Sequence, residues 1–308
     1  MGCLLLQGAA ADAQNTTVAG EKHYNIGLTY PISSNGTGAR YYTNTFSLNA
    51  VVGLSASEKG VSIAGVSNII LDSAAGLQIA GFSNHIYNDA QGVQVAGFMN
   101  VVRNGSSGLL VAGFMNRSGN SGTQVAGFIN IAKKVKGLQI AGFINIADSS
   151  DYPIGIVNII RNGEKAIGVS TDETLTTFVS FRSGGHKLYG IVGLGYNNKG
   201  QRQLAAWEAG IGWHLITWGD FRLNTELVNI GLSDFSNGDC MRSSLRILPA
   251  FRLGQRIELF AGPSFNYLRS DKGQGTDLVT HYLWSDTNKN KELHGLYFGF
   301  MGGLSVAL

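Results

Sequence analysis

The second half of the chain alternates apolar and polar side chains with a period of two, which is typical of β-strands. In the segment from Leu204 to Trp218 one alternate set is apolar and the other is charged or small. The apolar set is Trp207, Ala209, Ile211, Trp213 and Leu215, and the opposite set is Glu208, Gly210, Gly212 and His214. The segments 221–227, 245–253 and 257–267 repeat this arrangement. Such two-faced strands predict a membrane β-barrel whose faces meet lipid and lumen.

The lengths of these runs and of their connections support the same interpretation. The runs hold about 11 to 15 residues, longer than the roughly 5 or 6 residues of most soluble strands. Short connections at 183–185, 218–220 and 254–255 alternate with longer polar ones at 197–203, 233–241 and 270–293. Outer-membrane barrels have short periplasmic turns and long external loops, so this alternation assigns the two sides.

The predicted strand phases turn seven ionisable side chains toward the lumen. This candidate lumen polar cluster is Glu208, His214, Arg222, Glu226, Arg246, Arg252 and Glu258. We expect it to be a structural salt-bridge network, because polar interiors are the rule in these barrels. An anion site, or an acid–base reaction on lipid that uses His214 and Glu208, is the alternative.

The last strand, 294–308, carries apolar side chains at alternate positions up to Leu308. It resembles the C-terminal signal strand by which outer-membrane barrels are handed to their insertion machinery, although that signal usually ends in an aromatic residue. At the other end, residues 1–13 resemble the remnant of a signal peptide with an Ala-x-Ala cleavage site after Ala13. Alternating segments within 22–57 add N-terminal barrel strands to those of 164–308, which gives about ten strands.

Residues 60–160 are a tandem repeat. Six units of the form Gly-x-x-x-Ala-Gly-x-x-Asn, four of them with Gln at the third position, are followed by a degenerate copy, and the period is 13 to 16 residues. The repeated asparagines are Asn68, Asn84, Asn100, Asn116, Asn130, Asn145 and Asn158. Within a unit the apolar phase shifts at the Ala-Gly pair, which predicts a corner between two short strands.

A phase shift at a corner favours a β-solenoid, in which equivalent residues of successive coils stack. The asparagines are then expected to form a hydrogen-bonded ladder, inside the coil or at a turn, and the phenylalanines to stack in the core. The alternative makes each unit one antiparallel membrane strand, which gives a single barrel of about sixteen strands.

The repeat unit resembles that of a family of tandem surface-repeat proteins from Gram-negative bacteria, spirochaetes included. The resemblance covers about a third of the chain and implies an outer-membrane or cell-surface location. It brings no catalytic residue with it.

Composition narrows the function further. Only 14% of the residues are charged and the net charge of +3 is unclustered, so nucleic-acid binding is not expected. The sequence contains no stretch of about 18 apolar residues, so it predicts no transmembrane helix. No nucleotide, metal or hydrolase motif is present, so we expect no enzyme activity and no cofactor.

Taken together, the sequence predicts an all-β, exported outer-membrane protein: an antiparallel barrel with an inserted β-solenoid-like array, in a structural or interaction role. Its expected partners are outer-membrane lipid, the barrel insertion machinery and an unknown surface or periplasmic ligand. A small channel or transporter and a lipid-modifying barrel enzyme are the alternatives.

Overall fold

The computed structural model describes residues 20–199, 204–233, 235, 240–271, 278–288 and 292–308. The predicted signal-peptide remnant, 1–13, lies outside these residues. The chain divides into two compact units, Met1–Ser150 and Asp151–Leu308. Both are built of β-strands, and the first unit contains a 3₁₀ turn, Gly36–Tyr41. None of the described helical segments has the length and apolar character that would let it cross a membrane.

The first unit is a stack of coils made from long and short strands that follow one another along the chain. Its strands are β1 (Gly20–Thr29), β2 (Ile32–Ser33), β3 (Tyr42–Ser55), β4 (Ser57–Ala64), β5 (Ser67–Ile70), β6 (Ala74–Ala80), β7 (Ser83–Ile86), β8 (Ala90–Ala96), β9 (Met99–Val102), β10 (Gly105–Ala112), β11 (Met115–Arg117), β12 (Asn120–Ala126), β13 (Ile129–Ala141) and β14 (Ile144–Ile154).

The strands of successive coils pair in parallel and in register. The longer strands form the row β3-β4-β6-β8-β10-β12-β13, and the shorter ones the row β3-β5-β7-β9-β11-β13. Equivalent residues are therefore paired, for example Gln78 with Gln94 and Asn84 with Asn100. This parallel stacking confirms a solenoid-like array. The alternative of a single barrel of about sixteen strands is wrong, because that barrel needs each repeat to pair antiparallel with the next.

The segment 22–57, predicted to supply barrel strands, belongs to the coil stack instead. Strand β1 pairs in parallel with β3, and β3 pairs in parallel with β4 and β5. The alternation that suggested membrane strands is real, since Tyr24, Ile26 and Leu28 are exposed while Asn25 is buried. The same alternation is found in this stack, so the pattern did not distinguish the two settings.

The second unit holds the remaining strands. They are β15 (Val157–Ile160), β16 (Glu164–Asp172), β17 (Thr176–Gly184), β18 (Leu188–Asn197), β19 (Leu204–Trp218), β20 (Phe221–Ser233), β21 (Cys240–Leu253), β22 (Ile257–Ser270), β23 (Trp284–Thr287) and β24 (Leu293–Ala307).

Eight of these strands close into an antiparallel barrel in the order β16-β17-β18-β19-β20-β21-β22-β24. Pairing of β16 with β24, which sets Val169 opposite Leu304, completes the circle. The barrel thus has eight strands rather than the predicted ten, because β1 and β3 lie in the first unit. Strand β23 pairs with the beginning of β24.

The barrel turns large apolar side chains outward and places its buried ion pairs, together with other apolar side chains, inside. Strand β21 shows this residue by residue: Leu245, Ile247 and Phe251 are about half exposed, while Arg246 and Ser244 are buried. Trp207, Trp213, Leu227, Leu259 and Leu304 belong to the same exposed surface. A water-soluble barrel would bury such side chains, so this surface is suited to an apolar surrounding.

Candidate functional site

The repeated asparagines form a continuous ladder inside the coils of the first unit. The amide nitrogen of each one donates to the amide oxygen of the next, at 2.9 Å from Asn68 to Asn84 and 2.8 Å from Asn84 to Asn100. The ladder continues through Asn116 and Asn130 to Asn145 at 2.9 to 3.0 Å. These asparagines are at most 1% exposed, so the ladder satisfies amides that would otherwise be costly to bury.

Each ladder amide also ties its short strand to the long strand of the next coil. The Nδ2 of Asn84 donates to the carbonyl oxygen of Val95, and that of Asn100 to the carbonyl oxygen of Val111, at 2.9 and 2.8 Å. Asn158 lies in the second unit, where its amide donates to the carbonyl oxygens of Gly155 and Ser183. The predicted ladder is therefore internal, and each rung joins neighbouring coils to one another.

A second buried column consists of glutamines and has one leucine in the middle. Gln94 donates to Gln78 at 2.8 Å, and Gln139 donates to Gln124 at 3.1 Å. Leu110, fully buried, occupies the equivalent position between Gln94 and Gln124. The repeated glutamine of the motif is thus a structural residue of the same kind as the asparagine, which the sequence reasoning did not propose.

The repeated phenylalanines stack, but on the outside of the coils. Ring centroids of successive members are 4.8 to 5.1 Å apart and the planes are within 11° of parallel. The members are Phe82, Phe98, Phe114, Phe128 and Phe143. Four of them are 38 to 49% exposed, so the prediction that they stack in the core is wrong. The interior holds the amides, alanines and a cluster of aliphatic side chains that includes Ile70, Ile86 and Val102, and the larger rings lie outside.

A shallow groove of about 690 Å³ runs along the beginnings of the long strands in the first unit. Serine, alanine and glycine residues form most of its wall, with Lys59 and Lys136 near its two ends and Asp89 between them. Glu58 contributes to the wall and is only 2% exposed.

The carboxylate of Glu58 accepts hydrogen bonds from Ser47 at 2.7 Å and Asn44 at 3.1 Å. Burial nevertheless raises the pKa of Glu58 to about 7, because removal from water penalises the charged form more than these hydrogen bonds favour it.

In the barrel, the centre of the lumen is occupied by a buried ion-pair network. The guanidinium of Arg246 lies 2.9 Å from Glu208 and 3.3 Å from Glu226, and Arg182 lies 3.0 Å from Glu226. The hydroxyl of Tyr189 donates to Glu226, and the hydroxyl of Ser180 donates to Glu208. Arg246 and both carboxylates are at most 2% exposed, so nearly all of their charge is balanced within the lumen.

A second group of charges lies at the end of the barrel where the short turns are. Arg222 makes a bidentate pair with Glu164 at 2.6 Å, and Arg252 lies 3.6 Å from Glu258. The Nδ1–H of His214 donates a hydrogen bond to the amide oxygen of Asn224 at 2.7 Å. A cavity of about 310 Å³ opens among these residues and reaches Arg182 and Glu226.

At the opposite end of the barrel, Arg242 forms an ion pair with Asp172, and nearby hydroxyl groups hydrogen-bond to both side chains. Its Nη1 donates to the hydroxyl of Tyr297 at 3.2 Å, and Asp172 accepts from Thr174 at 2.6 Å. Among the described residues, ion pairs therefore occur at both ends and at the centre of the lumen, and buried apolar side chains such as Phe178, Ile191 and Ile230 fill space in the same interior.

The structure thus divides the seven predicted lumen residues into two places. Glu208, Glu226 and Arg246 belong to the central network, and His214, Arg222, Arg252 and Glu258 lie at the short-turn end. His214 and Glu208 are six positions apart on β19, about 20 Å along a strand, so they do not form an acid–base pair. Sequence reasoning missed Arg182, Arg242 and Asp172, whose lumen phase was readable from the alternation of β17, β21 and β16.

Comparisons with known proteins add little to this description. No family model matches the chain, and no curated protein matches it. A solved structure titled "De novo design of transmembrane beta-barrels" aligns with 47% of this chain and 93% of that chain, at 14% identity and a TM-score of 0.29. A likeness at this level says nothing about function.

Proposed function

We propose that this chain is a non-enzymatic outer-membrane protein whose eight-stranded barrel spans the bilayer and whose repeat array has a structural or interaction role. The observation that carries the proposal is the inverted barrel. Its outer surface is formed by half-exposed residues such as Trp207, Leu245 and Phe251, and its lumen by buried ion pairs. Closed barrels satisfy every strand hydrogen bond internally, which is the requirement for crossing lipid.

The filled lumen supports a structural role over that of a channel. Eight-stranded barrels have an interior just wide enough for side chains to fill. Here Arg246, Tyr189, Phe178 and Tyr297 are buried within it. Transport through such a barrel requires the ion-pair network to move aside, and the network is held by contacts on several strands.

The array supports an interaction role through its regularity. The groove along the coils of the first unit presents small side chains between two lysines, which suits an extended polar ligand at the cell surface or in the periplasm. The resemblance of the repeats to surface-repeat proteins points to the same role. The insertion machinery for outer-membrane barrels would be the partner during assembly.

The test is to express the chain with a complete signal peptide and to analyse outer-membrane fractions on gels with and without boiling. We expect a band whose migration changes on boiling, which is the behaviour of a closed barrel. Leu245→Arg, on the outer surface of the barrel, should reduce that band because an arginine facing the lipid midplane costs about 2–4 kcal/mol. Leu283→Arg is the matched control, since Leu283 is exposed and lies outside the barrel strands.

A soluble periplasmic product that migrates identically before and after boiling would refute the membrane location. Equal effects of Leu245→Arg and Leu283→Arg would show that the barrel surface does not face lipid. Protease treatment of intact cells then locates the array, because cleavage within 60–160 requires the array to lie outside.

A further inference from the structure

The stacked phenylalanines lie at the centre of a wider apolar surface on the first unit, which we call the phenylalanine edge. On one side of the rings lies an outward column of branched residues, and on the other a column of methionines and isoleucines. The first column is Ile79, Val95, Val111, Val125 and Ile140, and the second is Met99, Met115, Ile129 and Ile144. Surfaces of this extent are rarely left in water.

Charge is excluded from the whole of this edge. The runs 60–71, 73–84, 90–102, 104–116, 118–132 and 137–147 contain no acidic, basic or histidine residue. The charges of the coils lie instead at the far end of each short strand segment or in the connection that follows it, as at Asp72, Asp89, Arg103, Arg117 and Lys133. Each coil is therefore amphipathic, with an uncharged edge and a charged connection.

The backbone N–H groups of the edge also have hydrogen-bond partners within the array, so they do not need water. At every phenylalanine corner the three successive N–H groups donate to carbonyl oxygens of the preceding coil. Around Phe114, for example, Gly113 donates to Ala96 at 3.2 Å, and Phe114 and Met115 both donate to Phe98 at 3.0 Å. Donors without partners would be costly in lipid, and these corners leave no N–H unpaired.

The geometry points to one occupant: we propose that the phenylalanine edge inserts into the acyl-chain region of a bilayer. A long strand of seven residues spans about 23 Å and a short strand of three or four about 10–13 Å, so the charges of the coils stay at least about 10 Å from the rings. Amphipathic elements of this kind bury their apolar face about 5–10 Å into a membrane. The edge thus enters lipid while the connections remain in water.

Lipid fits this edge better than a protein partner does. Protein interfaces combine an apolar centre with a polar rim and about ten direct hydrogen bonds. The uncharged runs continue to both sides of the rings, and the corner N–H groups are already used within the array. The inference builds on the membrane location proposed above, but it concerns a different unit of the chain and is tested separately.

The experiment places an environment-sensitive fluorophore on single cysteines of the full chain reconstituted into phosphatidylcholine vesicles. Cys3 and Cys240 are first replaced by serine. Phe114→Cys reports on the edge, Arg103→Cys on a charged connection, and Leu245→Cys on the outer surface of the barrel. Val66→Cys is a second edge variant, because Val66 holds the position equivalent to the phenylalanines and its replacement removes no ring.

We expect lipids brominated on the acyl chain to quench the label at 114, 66 and 245, and aqueous iodide to quench the label at 103. If iodide quenches 114 and 66 while brominated lipid quenches 245, the edge is in water; the inference fails and the proposed function stands. If iodide quenches all four labels, both fail. If neither quencher reaches 114 and 66, a second copy or another protein covers the edge, and the lipid contact is refuted.

Discussion

The corner glycines of the array provide a direct test of the stacked-coil geometry. A Cβ added at Gly113 would lie 2.1 Å from the carbonyl oxygen of Gly97 in the preceding coil. Because the obstructing atom belongs to backbone, no side-chain rotation relieves the clash. Gly113→Ala therefore forces the two coils apart by about 1 Å before an ordinary contact distance is restored.

The cost of this separation follows from the hydrogen bonds at the corner. The three bonds donated by Gly113, Phe114 and Met115 are already 3.0 to 3.2 Å long, so a separation of about 1 Å breaks them. At about 1 kcal/mol each, we expect a loss of about 3 kcal/mol. With an m-value of about 2 kcal/mol per M, the urea midpoint of the array falls by about 1.5 M.

Pulse proteolysis with trypsin along a urea series in detergent measures this shift, because Arg103 and Arg117 lie at or beside the connections of the array. The four tryptophans all belong to the second unit, so their emission reports the barrel independently and should not change.

Gly105→Ala is the matched control, since its Cβ would lie 3.3 Å from the carboxylate end of Asp89 and at an ordinary contact distance of 3.5 Å from the carbonyl oxygen of Asn120. A surface change of this kind is expected to stay within about 0.5 kcal/mol. Equal shifts for Gly113→Ala and Gly105→Ala would refute the close approach of the coils.

Three further outcomes are expected. Leu110→Gln raises the urea midpoint of the array because the new amide joins two glutamine pairs. Leu110→Ala instead costs about 2–5 kcal/mol through the cavity that it leaves. Equal decreases of the urea midpoint for the two variants would contradict this prediction. Because the pKa of Glu58 is raised from 4.5 to about 7, the folded chain retains a proton between these values, so array stability falls as pH rises through this window. A Glu58→Gln variant that keeps the same decline would exclude Glu58 as its cause. Arg246→Met removes the ion-pair partner of the buried Glu208 and one of the two partners of Glu226, and costs about 3–5 kcal/mol. The loss is seen as a lower temperature for disappearance of the unboiled gel band, which Arg269→Met, at an exposed pair, changes little.

The sequence was sufficient for the parts of the fold that local chemistry determines. Strand identity in the second unit followed from the alternation, and the short turns at 184–185, 219–220 and 254–255 followed from their glycines. The asparagine ladder was predictable because identical amides at a fixed period stack in a coil. These features depend on near neighbours or on exact repetition, and both are visible in one dimension.

Partner choice across long distances was not readable in the same way. Whether β1 and β3 join the barrel or the array depends on which strand offers matching edges, and both kinds of edge alternate apolar and polar residues. The ion pairs of Arg246 with Glu208 and Glu226 follow from three strands meeting in one lumen, which requires the barrel to be known first. The alternation along one strand shows only that a side chain points inward, and not which side chain it pairs with.

The phenylalanines were misassigned for a related reason. An apolar ring at a repeated position is normally a core residue. This expectation assumes that the interior of the protein is apolar and that its surface faces water. In both units many buried positions are instead polar, such as Gln94, Asn100 and Arg246, and they lie beside buried apolar clusters, while many of the exposed residues are large and apolar. Polar interiors are stable only when nearly every group has a partner, which the ladders and the lumen network provide. With most of the polar groups paired inside, the outer surface of each unit can carry large apolar side chains, as Phe114 and Leu245 show.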